Sequence, residues 1–600
     1  MVTWILTRKI DPITLEVIRG GLVSLSREMG VAMEKTSYST IFSEGLDYSC
    51  AVFDWEGNMA ALHAFDPCHL GAMPYSVQAS ISAFGIKNLQ LGDIILQNDP
   101  YNGGSHINDY TIMTPVFVDN ELVVIPATRA HQIDAGAANP GGCAGDATSI
   151  HEEGLRLPPI KLYSQGKEMT DIWKIILANV RVPTAVQGDM RAMIGSLKVA
   201  ERRAIDYVKK YGVETWKAAL TEIMNISERI MRDEIDAIPD GEYENEEWMD
   251  DSGNSPEPVR LKVKVKIKGS ELTADYSGSS PQVNGPINAS YAVTACNTYI
   301  GVIHCVGHQG EYPVNQGTFR PIKVVAPLGS IVNVIYPGAC IGGNTELSNR
   351  IVDLIIGALA QATTPRNIKA ACYGTGGTTS IGGIDHETGE QYVIYFYSLG
   401  GMGARATKDG NSAQLCFATN NKGPYAEINE TRYPILVEEY SLVRDSAGMG
   451  KYRGGLGTKF VFRLLGESAE YNCLCDRHKI SPYGVFGGLP PKPSACGHFC
   501  DIRIKLANEK EFKHATELFG KISTSKWSKI ILHKGDVYEI YLCGGGGFGD
   551  PLERDPELVL ADVEYGYVSN EVAREYYGVV INADKIDYDA TKRLRVEKMR

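Results

Sequence analysis

The sequence predicts a multidomain α+β fold: a mixed α/β N-terminal part, a helical insert and a β-rich C-terminal half. Three observations carry this. β-prone runs alternate with helical stretches up to about residue 165, and helical patterning fills 170–237. Short strand-like runs separated by turns then dominate from Tyr452 to Leu542. A chain of 600 residues has room for several cores. The expected divisions are 1–165 (an α/β domain), 166–240 (helical), 241–445 (central mixed α/β) and 446–600 (β-rich with a helical tail).

Asp11-Pro12 opens the first helix, with Asp as cap and Pro in the first turn. Leu15, Ile18, Leu22, Leu25, Met29 and Met33 give it one apolar face. Two strands follow, Leu46 to Asp54 and Met59 to Ala64, around a Trp55–Asn58 turn. Asp47, starting the first, reads from position alone as a solvated end residue or turn helper. His63 and His69, flanking Phe65-Asp66-Pro67, read as satisfied structural histidines.

The stretch from Asp99 to Asp134 holds the densest chemistry. Tyr110–Val118 and Glu121–Ala130 form a hairpin about Asp119-Asn120. Asp109 and His131 lie eleven residues either side of Asn120, so both fall at the open end. His106, after the Gly103-Gly104 turn, sits where the chain enters the strand. Nitrogen and oxygen donors converging this way make a metal site or a hydrogen-bonded cluster, and the metal reading is preferred. Two imidazoles with carboxylates suit Zn, Mn or Fe(II) over Ca or Mg. With an open position, the metal can hold a water near neutral pKa or polarise a carbonyl. Asp134, three residues past His131, is then a candidate base or a hydrogen-bond acceptor behind that ligand. Asn139 to Pro159 is a long loop expected to cover the site.

Helices fill Thr170 to Ala237, broken near Pro183. Asp240 to Asp251 holds seven acids in twelve residues and reads as a solvated linker. Arg260 to Lys268 alternates basic and apolar, which makes a strand with Leu261, Val263, Val265 and Ile267 buried. Its basic face is solvated or pairs with the acidic segment. Helices near 289–305 and 348–362 alternate with strands at Ile322–Ala326 and Ile331–Tyr336, and the tail from Asp555 to Tyr577 is helical again.

Several function classes are disfavoured. A net charge of −13 without a long basic run predicts no nucleic-acid partner. No run approaches eighteen apolar residues, so no membrane span is expected, and MVTWILTRK has too short an apolar core for a signal peptide. Thirteen scattered cysteines indicate reduced thiols in the cytoplasm. The glycine runs lack the phosphate-loop pattern, and no nucleophile elbow is present. Cys473, Cys475 and His478, with Cys496, His498 and Cys500, leave a structural zinc and plain buried thiols both open.

Colinear segments then identify a relationship: DPITLEVIRGGL at 11–22, LDYSCAVFD at 46–54, HLGAMP at 69–74, NDPYNGGSHINDYT at 98–111, RAHQID at 129–134, EEGLRLPP at 152–159, GNTELSNRIVDLIIGALAQA at 343–362, YRGGLGTKFVFR at 452–463 and GGGGFGDPLERDP at 544–556. The chain resembles the hydantoinase B family. That family comprises B-type subunits of ATP-dependent hydantoinases, 5-oxoprolinases and caprolactamase, with related subunits of acetone and acetophenone carboxylases. The resemblance implies metal ligands at His106, Asp109 and His131 and a further one at Asp47. It implies ATP-Mg on a hydantoinase A-like partner in a hetero-oligomer, where the partner phosphorylates the substrate or bicarbonate. The expected activity is metal-assisted opening of an activated cyclic amide. The alternatives are the corresponding ketone carboxylase subunit and a non-catalytic scaffold. The family often has His-His-x-Asp and Gly-Gly after the second histidine, where this chain has His131-Gln132-Ile133-Asp134 and Ala135-Gly136-Ala137, so the pocket beside the metal is expected to differ.

Overall fold

The computed structural model describes residues 10–63, 66–306, 313–362, 367–423, 426–494 and 496–599; the leader expectation for residues 1–9 lies outside these. Helix α1 (Pro12–Thr36) starts as its cap predicts, with the Asp11 carboxylate accepting from the Thr14 N–H at 2.9 Å. Ile18, Leu22, Leu25, Met29 and Met33 are buried along one face.

That face lies on an antiparallel sheet of β1 (Tyr48–Phe53), β2 (Met59–His63), β3 (Ile94–Gln97), β4 (Asp109–Met113), β5 (Val116–Val118), β6 (Glu121–His131), β7 (Ile160–Ser164) and β8 (Lys167–Glu168). The order is β2-β1-β6-β4-β3-β7-β8, with β5 beside β6. Both faces are covered, so every residue of β1 is buried. Tyr48, Cys50 and Val52 join the core under α1, while Ala51 and Phe53 face helix α2 (Pro67–Phe84) on the other side. The hairpin turns where expected: Asp119 and Asn120 take φ of 50° and 64°, which suits a tight two-residue turn. Its first arm divides at Thr114-Pro115 into β4 and β5.

The helical insert is α3 (Thr170–Ala178), α4 (Pro183–Tyr211) and α5 (Val213–Asp236), with the break at Pro183. The acidic segment is not the linker expected. It is strand β9 (Gly241–Met249), paired antiparallel with β10 (Val259–Lys268) and followed by β11 (Glu271–Asp275) and β12 (Ile322–Val325). Glu242, Glu244 and Glu246 stand opposite Lys266, Lys264 and Lys262. Two strands of opposite charge thus hold each other's outer faces, and the acid count concealed the period of two. Ile331 to Tyr336 is likewise not a strand but a turn region with a Ser330–Asn333 bridge. Helices α6 (Tyr291–Cys305) and α7 (Ser348–Leu359) pack together beside this sheet.

Downstream lie β13 (Thr378–Ile384), β14 (Gln391–Tyr397), β15 (Ile435–Leu442), β16 (Thr458–Leu464), β17 (Ser468–Leu474), β18 (Asp501–Lys505), β19 (Lys526–His533) and β20 (Val537–Leu542). They form two sheets, β14-β13-β17-β19 and β15-β16-β20-β18. Both sheets draw strands from either side of residue 445, where a boundary was expected. They meet through aromatics, with Phe396 over Phe460 at 5.6 Å and Tyr471 over Tyr538 at 4.2 Å between ring centroids. The glycine-dense runs serve backbone-on-backbone packing. A Cβ on Gly401 would lie 2.0 Å from the Gly455 carbonyl oxygen, and one on Gly545 2.2 Å from the Met402 backbone. Among the described residues no helix is long and apolar enough to cross a membrane.

Buried carboxylates outside the sheet end bear on stability. Burial pushes Glu153 up to about 8, against hydrogen bonds from the Cys340 and Ile341 N–H groups at 2.7 and 2.8 Å. Burial likewise pushes Glu346 up to about 8, against its bond from Thr375. In the unfolded chain such groups titrate near about 4. The folded chain therefore holds more protons across the interval between, and stability falls as pH rises through it. The expected result is a lower thermal midpoint at pH ~9 than at pH ~6, with a shallower fall in Glu153→Gln. A midpoint that rises over this range contradicts the assignment.

Candidate metal centre

Three neighbouring strands end at one edge of the first sheet. Asp109 opens β4 and His131 closes β6, and the two are opposite one another in register. Asp47 immediately precedes β1, and its carbonyl accepts the His131 N–H at 3.1 Å. His106 lies on the turn into β4. Gly103 (φ 83°) makes that turn possible, since a Cβ there would sit 2.4 Å from the Tyr75 backbone.

Helix α2 brings two further groups. Asp66 caps it, with its carboxylate accepting from the Cys68 and His69 N–H groups at 2.8 and 3.2 Å. Ser49 of β1 ties the cap to the sheet by bonds of 2.9 and 3.0 Å to the Asp66 backbone. His69, on the first turn, thereby faces the strand ends.

All six residues are buried, none more than 3% exposed. His106 Nε2 lies 3.2 Å from His131 Nδ1, and His106 Nδ1 3.0 Å from Asp109 Oδ2. His131 Nδ1 is 3.4 Å from Asp109 Oδ1 and 3.9 Å from Asp47 Oδ2. His69 Nε2 is 3.2 Å from Asp109 and 3.6 Å from Asp47. One ligand atom each from His106, Asp109 and His131 lies within 4.8 Å of the others, close enough to share one cation, and Asp47, Asp66 and His69 form a second such group beside them. His69 Nδ1, Asp109 Oδ1 and His131 Nε2 are buried with no hydrogen-bond partner among the described residues. Buried polar atoms are normally satisfied, and Asp109 Oδ1, 3.4 Å from His131 Nδ1, is the orphan that an ion in the cluster would complete, whereas His69 Nδ1 and His131 Nε2 lie on the ring sides away from the carboxylates.

Burial opposes charge on His69, but Asp109, Asp66 and Asp47 outweigh it and push the imidazole up to about 10. Burial opposes charge on Asp109 as well, yet His106 and His69 hold its carboxyl well below the usual range. Burial drives His106 down despite Asp109. The Ser105 hydroxyl donates to Asp109, and the Tyr397 hydroxyl donates to Asp47. Tyr395, with its ring centroid 4.6 Å from that of His131, joins Tyr397 on β14 in roofing the cluster.

Two sequence expectations are relocated. Asp134 does not lie behind His131: its carboxylate accepts the Arg181 N–H at 2.6 Å and the Arg181 guanidinium at 3.2 Å, fastening the α3–α4 connection. Arg181 was not part of the expected site, and it takes the bonds a base would need. The two cysteine-rich stretches lie side by side, with the Phe499 and Cys500 N–H groups donating to the His478 and Arg477 carbonyls, but their cysteines do not converge. Cys473 lies 3.7 Å from Cys475, while Cys500 pairs at 3.5 Å with Cys543. Among the described residues no cysteine joins a group of three or more potential ligands. The 139–159 loop reaches the site indirectly, its Gly141 carbonyl accepting from Asn108 at 3.2 Å.

The sequence profile described as Hydantoinase B/oxoprolinase matches residues 11–551. The chain belongs to this family. A Pseudomonas sp. (strain NS671) protein, provisionally named as the B component of a D-/L-hydantoinase, is 34% identical over 98% of both chains. The beta chain of the Pseudomonas jessenii caprolactamase is 32% identical over 97% of this chain and 98% of its own. The crystal structure of the ATP-dependent caprolactamase from that organism superposes with a TM-score of 0.87 at 31% identity, covering 98% of this chain and all (100%) of that one. Acetone carboxylase shares the fold, with a TM-score of 0.87 at 19% identity, covering 99% of this chain and 83% of its own. This hydantoinase B/oxoprolinase chain therefore comes from a family of enzymes. Position alone had not pointed to His69 or Asp66. The available signal was Asp66-Pro67, which places His69 on the first turn of a capped helix.

Proposed function

We propose that this chain is the metal-bearing subunit of an ATP-dependent cyclic-amide hydrolase, acting on a hydantoin, oxoproline or lactam ring activated by phosphorylation on a hydantoinase A-like partner. The observation that carries the reading is the two adjoining buried donor groups at the β1, β4 and β6 ends, His106–Asp109–His131 and Asp47–Asp66–His69, in a chain whose near full-length relatives are named as components of a hydantoinase and a caprolactamase. Asp47, His106, Asp109 and His131 would hold a Zn, Mn or Fe ion, which when bound supplies Lewis acidity toward a carbonyl or water oxygen. Ser105 and Tyr397 orient the two carboxylates, and Tyr395 with Tyr397 limits water. His69 Nε2, 3.2 Å from Asp109 and 3.6 Å from Asp47, is placed to hold or pass a proton at the edge of the cluster. ATP-Mg would bind the partner, since no phosphate-loop pattern occurs in this chain. Thirteen free cysteines, twelve of them buried, support a cytoplasmic setting.

The shared fold of acetone carboxylase gives the second reading, a ketone carboxylase subunit. One assay separates them. The complex reconstituted with a hydantoinase A-like subunit is given ATP-Mg, labelled bicarbonate, and a panel of cyclic amides and ketones. A ring-opened product free of label is expected. Label retained in product supports carboxylation and overturns hydrolysis.

A further inference from the structure

The histidine of the Cys496–Cys500 stretch belongs to a different group from its cysteines. His498, Asp501 and His514 each offer a ligand atom within 4.8 Å of the others. They come from three places: the turn before β18, the first residue of β18, and the turn returning from it. His514 Nε2 is 2.7 Å from Asp501 Oδ1. His514 Nδ1 is 3.3 Å from the Glu517 carboxylate, so one ring nitrogen faces the group while a carboxylate orients the other. Metal-bound histidines characteristically have this carboxylate behind them. The ring nitrogens of His498 have no hydrogen-bond partner among the described residues, although the ring lies 5.1 Å from that of His514. Asp501 is 2% exposed and its Oδ2 is buried without a hydrogen bond, the nearest cation being Arg503 Nε at 3.4 Å. Behind His498, the buried His478 also has an unpartnered Nε2.

We propose that His498, Asp501 and His514 form a second metal site, for zinc, at the edge of the β15-β16-β20-β18 sheet. Two imidazoles and one carboxylate are zinc donors, and the half-exposed histidines leave a position for solvent. The position gives it a task. β18 is an edge strand of five residues, and its far end returns through the Ile504–Lys513 bridge to His514. An ion held across both turns pins the strand in register and closes the excursion from 498 to 514.

The test titrates metal-stripped full-length chain with zinc alone and counts bound metal per chain. His498→Ala/His514→Ala is expected to bind one zinc fewer than wild type, whereas His106→Ala/His131→Ala retains the second ion, so failure at either site is read separately. Glu517 is exposed, and Glu517→Gln keeps the helix cap; it is expected to weaken zinc at this site by about 10–100-fold. Equal zinc counts in wild type and the 498/514 variant overturn the proposal. If that variant does not fold, an unchanged zinc isotherm in Glu517→Gln overturns it instead.

Discussion

Replacing His106 by alanine is expected to abolish turnover of the reconstituted complex while leaving the chain folded and assembled. His106 is fully buried and touches both Asp109 and His131, so its loss removes a donor from the centre of the set rather than its rim. A Lewis-acidic ion contributes several kcal/mol of transition-state stabilisation, and at 1.36 kcal/mol per tenfold the loss in kcat/KM is about 10³-fold or more. The turn itself has other anchors. Asn98 Nδ2 holds the Ile107 carbonyl at 2.7 Å, and the Asn108 carbonyl accepts from Gln132 at 2.8 Å. Helical content and co-purification with the partner should therefore persist, and metal per chain should fall. Normal turnover in the assembled His106→Ala complex would sink the metal reading and favour the scaffold. Loss of assembly would show instead that the turn depends on this imidazole, and His131→Ala then repeats the measurement from the opposite strand.

How far this centre can be read from the sequence depends on how each residue reaches it. Asp109 and His131 are joined by a hairpin, and counting outward from Asn120 reproduces their register. Local geometry suffices there because the turn fixes every pair. Asp47 arrives through β1, whose pairing with β6 no local rule dictates, and only family resemblance pointed to it. His69 and Asp66 arrive through a helix lying across the strand ends, and Tyr395 and Tyr397 through a strand more than 260 residues beyond His131. Contacts of that kind are set by tertiary packing and leave no spacing to count. The acidic strand β9 failed for another reason. Its charge is matched by a partner strand, and charge count alone cannot distinguish a paired face from a solvated linker. Asp134 illustrates the converse error, since closeness in sequence to His131 did not decide where its carboxylate turned.

A stability effect of comparable size is expected away from the centre, at Asp476. Arg350, Asp476 and Lys526 are all essentially excluded from solvent. Asp476 Oδ1 is 3.0 Å from the Arg350 guanidinium, and Oδ2 is 2.9 Å from Lys526 Nζ. Burial opposes ionisation of Asp476, but Lys526 and Arg350 together hold its carboxyl below the usual range. The ion pairs therefore persist into acid and are lost only as pH falls through that lowered value. Asp476→Ala strands the buried Arg350 and leaves Lys526 only its pair with Asp251, and removing one partner of a buried pair costs about 3–5 kcal/mol. Against a typical total of about 5–15 kcal/mol, that is a large fraction of stability. Urea unfolding of Asp476→Ala should show the midpoint displaced accordingly, with Asp476→Asn intermediate because it keeps the shape without the charge. A loss below about 1 kcal/mol, within the range of an exposed pair, would mean that Asp251, already 3.3 Å from Lys526, takes over the compensation. The substitution touches none of the groups around His106, so metal bound per folded chain should stay at the wild-type ratio even as the folded fraction falls. His106→Ala should do the reverse, and the two variants together separate what holds this chain folded from what lets it hold an ion.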